Sequence, residues 1–190
     1  MARLGLIIPE RRAFLGKAGT LTLSAAAVAL LSGNEALAAQ GKTANSHDIE
    51  ILNTALGAEH QAIAAYQVGA ESGLLTKPVL GVAVKFQSDH KEHADLLSKT
   101  VKKLGGKPAM AMKPADYKFP TDELKSEKDV LRFAAGLEKG AISAYLGAVP
   151  LFGNKDLAKA AASILGNESM HWALLLQALG EPADPVAFVS

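Results

Sequence analysis

Four stretches of this chain repeat apolar residues at steps of three and four, the period at which one face of an α-helix returns. The first runs Leu52, Leu56, Glu59, Ile63, Tyr66 and Ala70, and the second Val82, Phe86, His90, His93, Leu97, Val101 and Leu104. The third runs Leu131, Ala134, Glu138, Ile142, Tyr145 and Val149, and the fourth Leu157, Ala161, Ile164, Glu168, His171, Leu175 and Ala178. Breakers separate them: Gly73 and Pro78, Gly105-Gly106 with Pro108, Pro150 to Asn154, and Gly180 with Pro182. Ser126 with Asp129 has the spacing of a helix N-cap. Aromatic residues are only 5% of the chain, β-branched residues are scattered, and alanine and leucine dominate, which favours helices over strands.

Four helices with one apolar stripe each must bury those stripes against one another, so the predicted fold is an all-α four-helix bundle. The first and third connections are short and predict antiparallel hairpins. The middle one, with three prolines and many lysines over 107–126, is long enough to travel a bundle of about 35 Å. Two hairpins joined by one crossover result. The hairpins also repeat in sequence. Glu59 and Tyr66 recur at one common offset as Glu138 and Tyr145. His93-Ala94-Asp95-Leu96-Leu97 recurs at nearly the same offset as His171-Trp172-Ala173-Leu174-Leu175. Two nearly equal offsets point to an internal duplication.

The first forty residues read as an address. Arg11-Arg12-Ala13-Phe14-Leu15 precedes an apolar stretch from Ala18 to Leu31, and Ala36-Leu37-Ala38 offers a peptidase site. The adjacent arginines resemble a twin-arginine export signal, which implies the twin-arginine machinery as a partner and the periplasm as destination. The expected organisation is a signal over 1–38 cleaved near Ala38, a linker over 39–46, the bundle over 47–180 and a tail over 181–190. A retained anchor is the alternative, disfavoured because Gly19, Thr20, Thr22 and Ser24 interrupt the apolar stretch. Without 1–38 the chain has 16 basic and 17 acidic residues, which offers no footprint for nucleic acid. There is no cysteine, so stability rests on packing or a metal rather than on disulfides.

The apolar stripes are interrupted near their middles by Glu59, His90, His93, Glu138, Glu168 and His171. Charges on a buried stripe need partners, because desolvating one costs several kcal/mol. Two stacked hairpins bring the four middles to one level. Three carboxylates and three imidazoles meeting there suit iron, manganese or zinc, with no thiolate to favour copper(I). Glu168-x-x-His171 places both side chains on one face, one turn apart.

A glutamate on each of two helices and Glu-x-x-His on each of the other two is the dimetal pattern of the ferritin-like superfamily, and the chain over about 47–180 resembles it, close to its exported ferritin-like domain proteins. The resemblance implies two ions of iron or manganese, dioxygen or peroxide as the small oxidant, and an oxidase- or peroxidase-type redox or stress-protection role. It departs at His90, which stands where the family has a metal-bridging glutamate. Asp89, which flanks the same stripe, is a candidate for the missing charge. The departure leaves open an asymmetric site, a site for one ion, or a degenerate one, and the alternative function is a metal-free or degenerate bundle with a structural or interaction role. An iron-storage cage is weaker, because the tail after Gly180 is short. The pattern leaves the oligomeric state open and is compatible with a homodimer.

Tyr66 and Tyr145 read as core residues with hydroxyls at the rim. His60 is expected to be exposed, His47 and Trp172 to have end-of-helix and packing roles, and Met110 and Met112 to lie in the crossover.

Overall fold

The computed structural model of the protein describes residues 44–189. The expected signal at 1–38, and most of the expected linker, lie outside the described residues. Four α-helices follow one another, with no strand among the described residues: α1 (Ala44–Glu71), α2 (Lys77–Lys103), α3 (Glu127–Ala148) and α4 (Lys155–Leu179). The first helix begins within the expected linker. Short connections make α1–α2 and α3–α4 packed hairpins, and the crossover from Leu104 to Ser126 carries only two single turns of 3-10 helix.

Local chemistry sets the helix ends. Ser126 Oγ accepts from the Asp129 backbone N–H and donates to the Asp129 carboxylate at 2.7 Å, a reciprocal cap that starts α3. Asn154 caps α4 by accepting from Asp156 N and Leu157 N. Gly180 ends α4 at φ +76, with its N–H on the Gln177 carbonyl and the Glu181 N–H on that of Leu176, a left-handed turn that an L side chain rarely adopts. Gly106 is needed for space, because a Cβ there meets Ile49 Cγ2 at 2.8 Å.

Polar ties hold the connections against the bundle. Buried Asp48 accepts from the backbone N–H groups of Gly153 (2.8 Å) and Asn154 (3.1 Å), fixing the start of α1 to the α3–α4 turn. Asn53 donates to the Lys107 carbonyl and accepts from Ala109 N, pinning the crossover to α1.

Packing divides the core in two. One apolar cluster joins Tyr66, Phe86, Leu131, Ile142, Trp172 and Leu175; the other joins Leu52, Leu56, Leu97, Val101, Tyr145 and Ile164. Between them lies a buried polar layer formed by the interrupted middles of the four stripes. The stripe of α2 departs from expectation at its start. Val82 is 42% exposed, while its neighbours Val79 and Ala83 pack on the core instead.

Candidate metal centre

All six side chains predicted as ligands meet in the polar layer. Glu59 comes from α1, His90 and His93 from α2, Glu138 from α3, and Glu168 and His171 from α4. Five of them are at most 2% exposed, and only His93 has partial access to solvent. Two sets of donor atoms cluster closely enough to hold an ion. One is Glu59, His90, His93 and Glu168, and the other is His90, Glu138, Glu168 and His171. His90 and Glu168 belong to both, as the two central residues of a dimetal pattern would.

The tyrosines are not at the rim. Tyr145 Oη donates to Glu59 Oε1 at 2.6 Å, and Tyr66 Oη donates to Glu138 Oε1. Each tyrosine thus holds the glutamate of the other hairpin. The cause is topological. The crossover sets α3 antiparallel to α1, so the residue two turns after one glutamate lies beside the other glutamate. The common offset of the glutamate pair and the tyrosine pair is the signal of this reciprocity in the sequence.

His90 lies between them. Its Nδ1 donates to Glu59 Oε2 at 2.8 Å and its Nε2 faces Glu138 Oε1 at 3.3 Å. A continuous chain, Tyr145–Glu59–His90–Glu138–Tyr66, therefore crosses the bundle. Both carboxylates accept only, so both ring nitrogens of His90 donate.

Other polar atoms of the layer have no hydrogen-bond partner: His93 Nδ1, Glu138 Oε2, both oxygens of Glu168, and His171 Nδ1. They are near one another but misaligned. His93 Nδ1 is 3.0 Å from Glu168 Oε1, and His171 Nδ1 is 3.3 Å from Glu168 Oε2 and 3.4 Å from Glu138 Oε1. An unmade bond at a buried polar atom costs about 1–3 kcal/mol, so five in one place call for a ligand. Carboxylate oxygens and imidazole nitrogens at such spacing fit a divalent cation.

Asp89 does not enter the layer. From its edge it takes the Nε2 side of His171 at 3.2 Å, and Lys85 holds its other oxygen. The bond assigns a proton to His171 Nε2 and turns Nδ1 inward to Glu138 and Glu168. Asp89, a candidate from the sequence for the missing charge, faces His171 from the edge of the layer. His60, expected to be exposed, is half-buried, and Trp172 packs in the core as expected.

The electrostatics follow from burial against close opposite charge. Burial opposes charge on His90, but its bonds to Glu138 and Glu59 push its pKa up to about 11. Burial likewise opposes charge on His93 and His171, and their carboxylate neighbours raise both to about 9. Glu59 and Glu138, despite burial, are held below the ordinary glutamate value by the histidines. Burial dominates at Glu168 and raises it. Burial and the adjacent carboxylates keep both tyrosines neutral, raising them well above the ordinary value.

Comparison with known proteins agrees with this architecture. The model of a family described as the ferritin-like domain matches residues 47–181. The crystal structure of a conserved hypothetical protein, rv2844, from Mycobacterium tuberculosis is similar at a TM-score of 0.65, with 23% identity, covering 77% of this chain and 99% of that one. At that identity the likeness speaks for the fold alone. No curated protein matches the chain. The family match spans most of the chain, including every residue of the polar layer, and the protein belongs to the ferritin-like domain family.

Proposed function

We propose that this protein is exported by the twin-arginine route to the periplasm and binds a redox-active divalent ion, iron or manganese, in the bundle core. The observation that carries this reading is the set of five buried donor atoms without hydrogen bonds, which converge between two apolar half-cores. Bound iron or manganese supplies one-electron redox chemistry toward dioxygen or peroxide.

The chain's own residues prepare the site for that ion. Glu168 and His171, one turn apart on α4, and Glu138 from α3 bring donor atoms to one group, and His93 from α2 belongs to a second group that shares Glu168. Asp89 fixes the His171 ring. The two tyrosines orient Glu138 and Glu59 without adding charge. Two apolar clusters exclude bulk water from above and below. A cavity of about 50 Å³ between α1 and α3, lined by Ala58, Ala62, Ala141 and Ala144, reaches Glu59 and His90. About 10–15 Å³ of such space holds one water molecule, so the cavity has room for a small reactant such as dioxygen or peroxide. This supports an oxidase- or peroxidase-type stress-protection role.

Peroxide consumption by the iron- or manganese-loaded protein is the test. Turnover that is lost in Glu168→Ala and His171→Ala is the expected result; no turnover above free metal rejects the redox reading. Export is tested separately by Arg11→Lys with Arg12→Lys, which is expected to retain the chain inside the cell.

One observation favours a second reading, a metal-free bundle with a structural or interaction role. The chain from Tyr145 to Tyr66 through His90 gives both oxygens of Glu59 and one oxygen of Glu138 a partner without any ion. Saturable metal binding with peroxide turnover rejects that version.

A further inference from the structure

The internal duplication makes the two halves of the polar layer comparable atom by atom. Glu59 and Glu138 correspond, each held by the tyrosine of the other hairpin. His93 and His171 correspond through the repeated segment that each begins. The remaining pair is His90 and Glu168, at the same offset as the two histidines, and here the duplication has diverged. Glu168 offers lone pairs, whereas His90 offers two N–H donors to its carboxylate neighbours.

That single difference makes the halves unequal. Glu59 has both oxygens committed, Oε1 to Tyr145 and Oε2 to His90 Nδ1. Glu138 has one oxygen engaged, by Tyr66 with His90 Nε2 beside it, and keeps Oε2 without a partner. Four of the five unpartnered atoms sit on Glu138, Glu168 and His171, while the other half contributes only His93 Nδ1. His171 is also the histidine whose far nitrogen is anchored, by Asp89. Donors bound at about 2.1 Å to one tetrahedral or octahedral ion stand about 3.0–3.4 Å apart. His171 Nδ1 lies 3.3 Å from Glu168 Oε2 and 3.4 Å from Glu138 Oε1, the oxygen that also takes Tyr66, so the His171 ring already stands at that spacing from both carboxylates.

We propose that the centre takes one divalent ion per chain rather than two, bound by Glu138, Glu168 and His171, and that His90 with Glu59 fills the second half-site with hydrogen bonds. This rests on the reading of the polar layer as a metal centre and specifies its stoichiometry and location. His90 acts here as a positioning residue that blocks the second ion by engaging the Glu59 oxygen that would bind it. His93, which faces Glu168 from the other half, stands at the edge of the occupied site.

The test is titration of the full chain, stripped of metal, with Mn(II), read by calorimetry and by electron paramagnetic resonance. One ion per chain is expected, with the spectrum of an isolated Mn(II) at saturation. Glu59→Gln is expected to weaken binding less than about threefold, whereas Glu138→Gln and His171→Gln weaken it by about 30-fold or more. His90→Glu is expected to raise the stoichiometry to two ions with an exchange-coupled spectrum, its folding being checked by circular dichroism. If that variant does not fold, the wild-type stoichiometry still decides. Two coupled ions in the wild-type chain overturn the one-ion inference and leave the metal centre standing. A single ion more sensitive to Glu59→Gln than to Glu138→Gln overturns its placement. No saturable binding in any form overturns the metal centre itself.

Discussion

Tyr145 on α3 donates a hydrogen bond to Glu59 on α1 at 2.6 Å, although the two are far apart in sequence. Together with its counterpart, Tyr66 on Glu138, this bond ties the two hairpins at the level of the polar layer. Removing the hydroxyl in Tyr145→Phe leaves a buried carboxylate oxygen without a donor. The metal-free protein is expected to lose about 1–3 kcal/mol in urea unfolding. An unchanged midpoint contradicts the bond's role.

Glu168 serves the histidines of the layer as a counter-charge and is also placed to meet a ligand. It is completely buried, and both of its oxygens lack hydrogen bonds. It nevertheless stands 3.0 Å from His93 and 3.3 Å from His171, and removing one partner of a buried charge cluster leaves the others uncompensated. Glu168→Met is therefore expected to destabilise the metal-free protein by about 3–5 kcal/mol and to abolish metal binding. Thermal melts with and without Mn(II) read both effects. A variant as stable as wild type without metal counts against the reading.

The histidines make the stability of the metal-free protein depend on pH in a defined direction. His93 and His171 are raised from 6.5 to about 9, and His90 to about 11. A raised pKa means that the folded state binds the proton more tightly than the unfolded state. The contribution is complete below about pH 6.5 and is lost as pH rises through 9 and then 11. Glu59 and Glu138 are lowered, so their contribution is present above 4.5 and lost as pH falls further. Denaturant unfolding of the metal-free protein from pH 6 to 10 is expected to show a continuous decline. Metal affinity should rise over the same interval, because the ion displaces protons from imidazole. Parallel rather than opposed trends contradict this assignment.

Asp89 reaches the site only through His171, at 3.2 Å from Nε2. Asp89→Asn keeps the shape and loses the charge that favours the Nε2 proton. A loss of about 10–100-fold in metal affinity is expected with the fold intact, as for other carboxylates behind a metal-binding histidine. Calorimetry against circular dichroism separates the two readouts, and unchanged affinity removes Asp89 from the centre.

Asp48 makes a structural contrast. It is buried at the start of α1, away from the polar layer, and accepts from two backbone N–H groups of the α3–α4 turn. Asp48→Ala orphans both donors and is expected to cost about 2–4 kcal/mol in urea unfolding, with metal stoichiometry unchanged. Loss of metal at full stability is the result that sinks this division of roles.

Much of the architecture was legible because it obeys one period. The four stripes named each helix, and the breakers Gly105-Gly106 and Gly180 sit where α2 and α4 end. The six polar interruptions named the buried layer, because charged residues on an inward stripe have nowhere else to go. What periodicity does not carry is the relative height of two helices. Tyr66 and Tyr145 look distant from the polar layer when each is measured along its own helix. They enter it because α1 and α3 run antiparallel and place each beside the other's glutamate. Asp89 was visible as a flanking carboxylate, but its partner across the bundle depends on the rotation of α4, which no local pattern states. Val82 shows the same limit at the end of a stripe, where the helix face drifts and Val79 and Ala83 take the inner position.

The most direct test of a metal centre in this bundle is elemental analysis of the protein exported natively and purified without chelator, beside Glu168→Ala handled identically. Roughly one iron or manganese ion per wild-type chain, lost in the variant, is the expected result. Less than about 0.2 ion per chain in both proteins contradicts it.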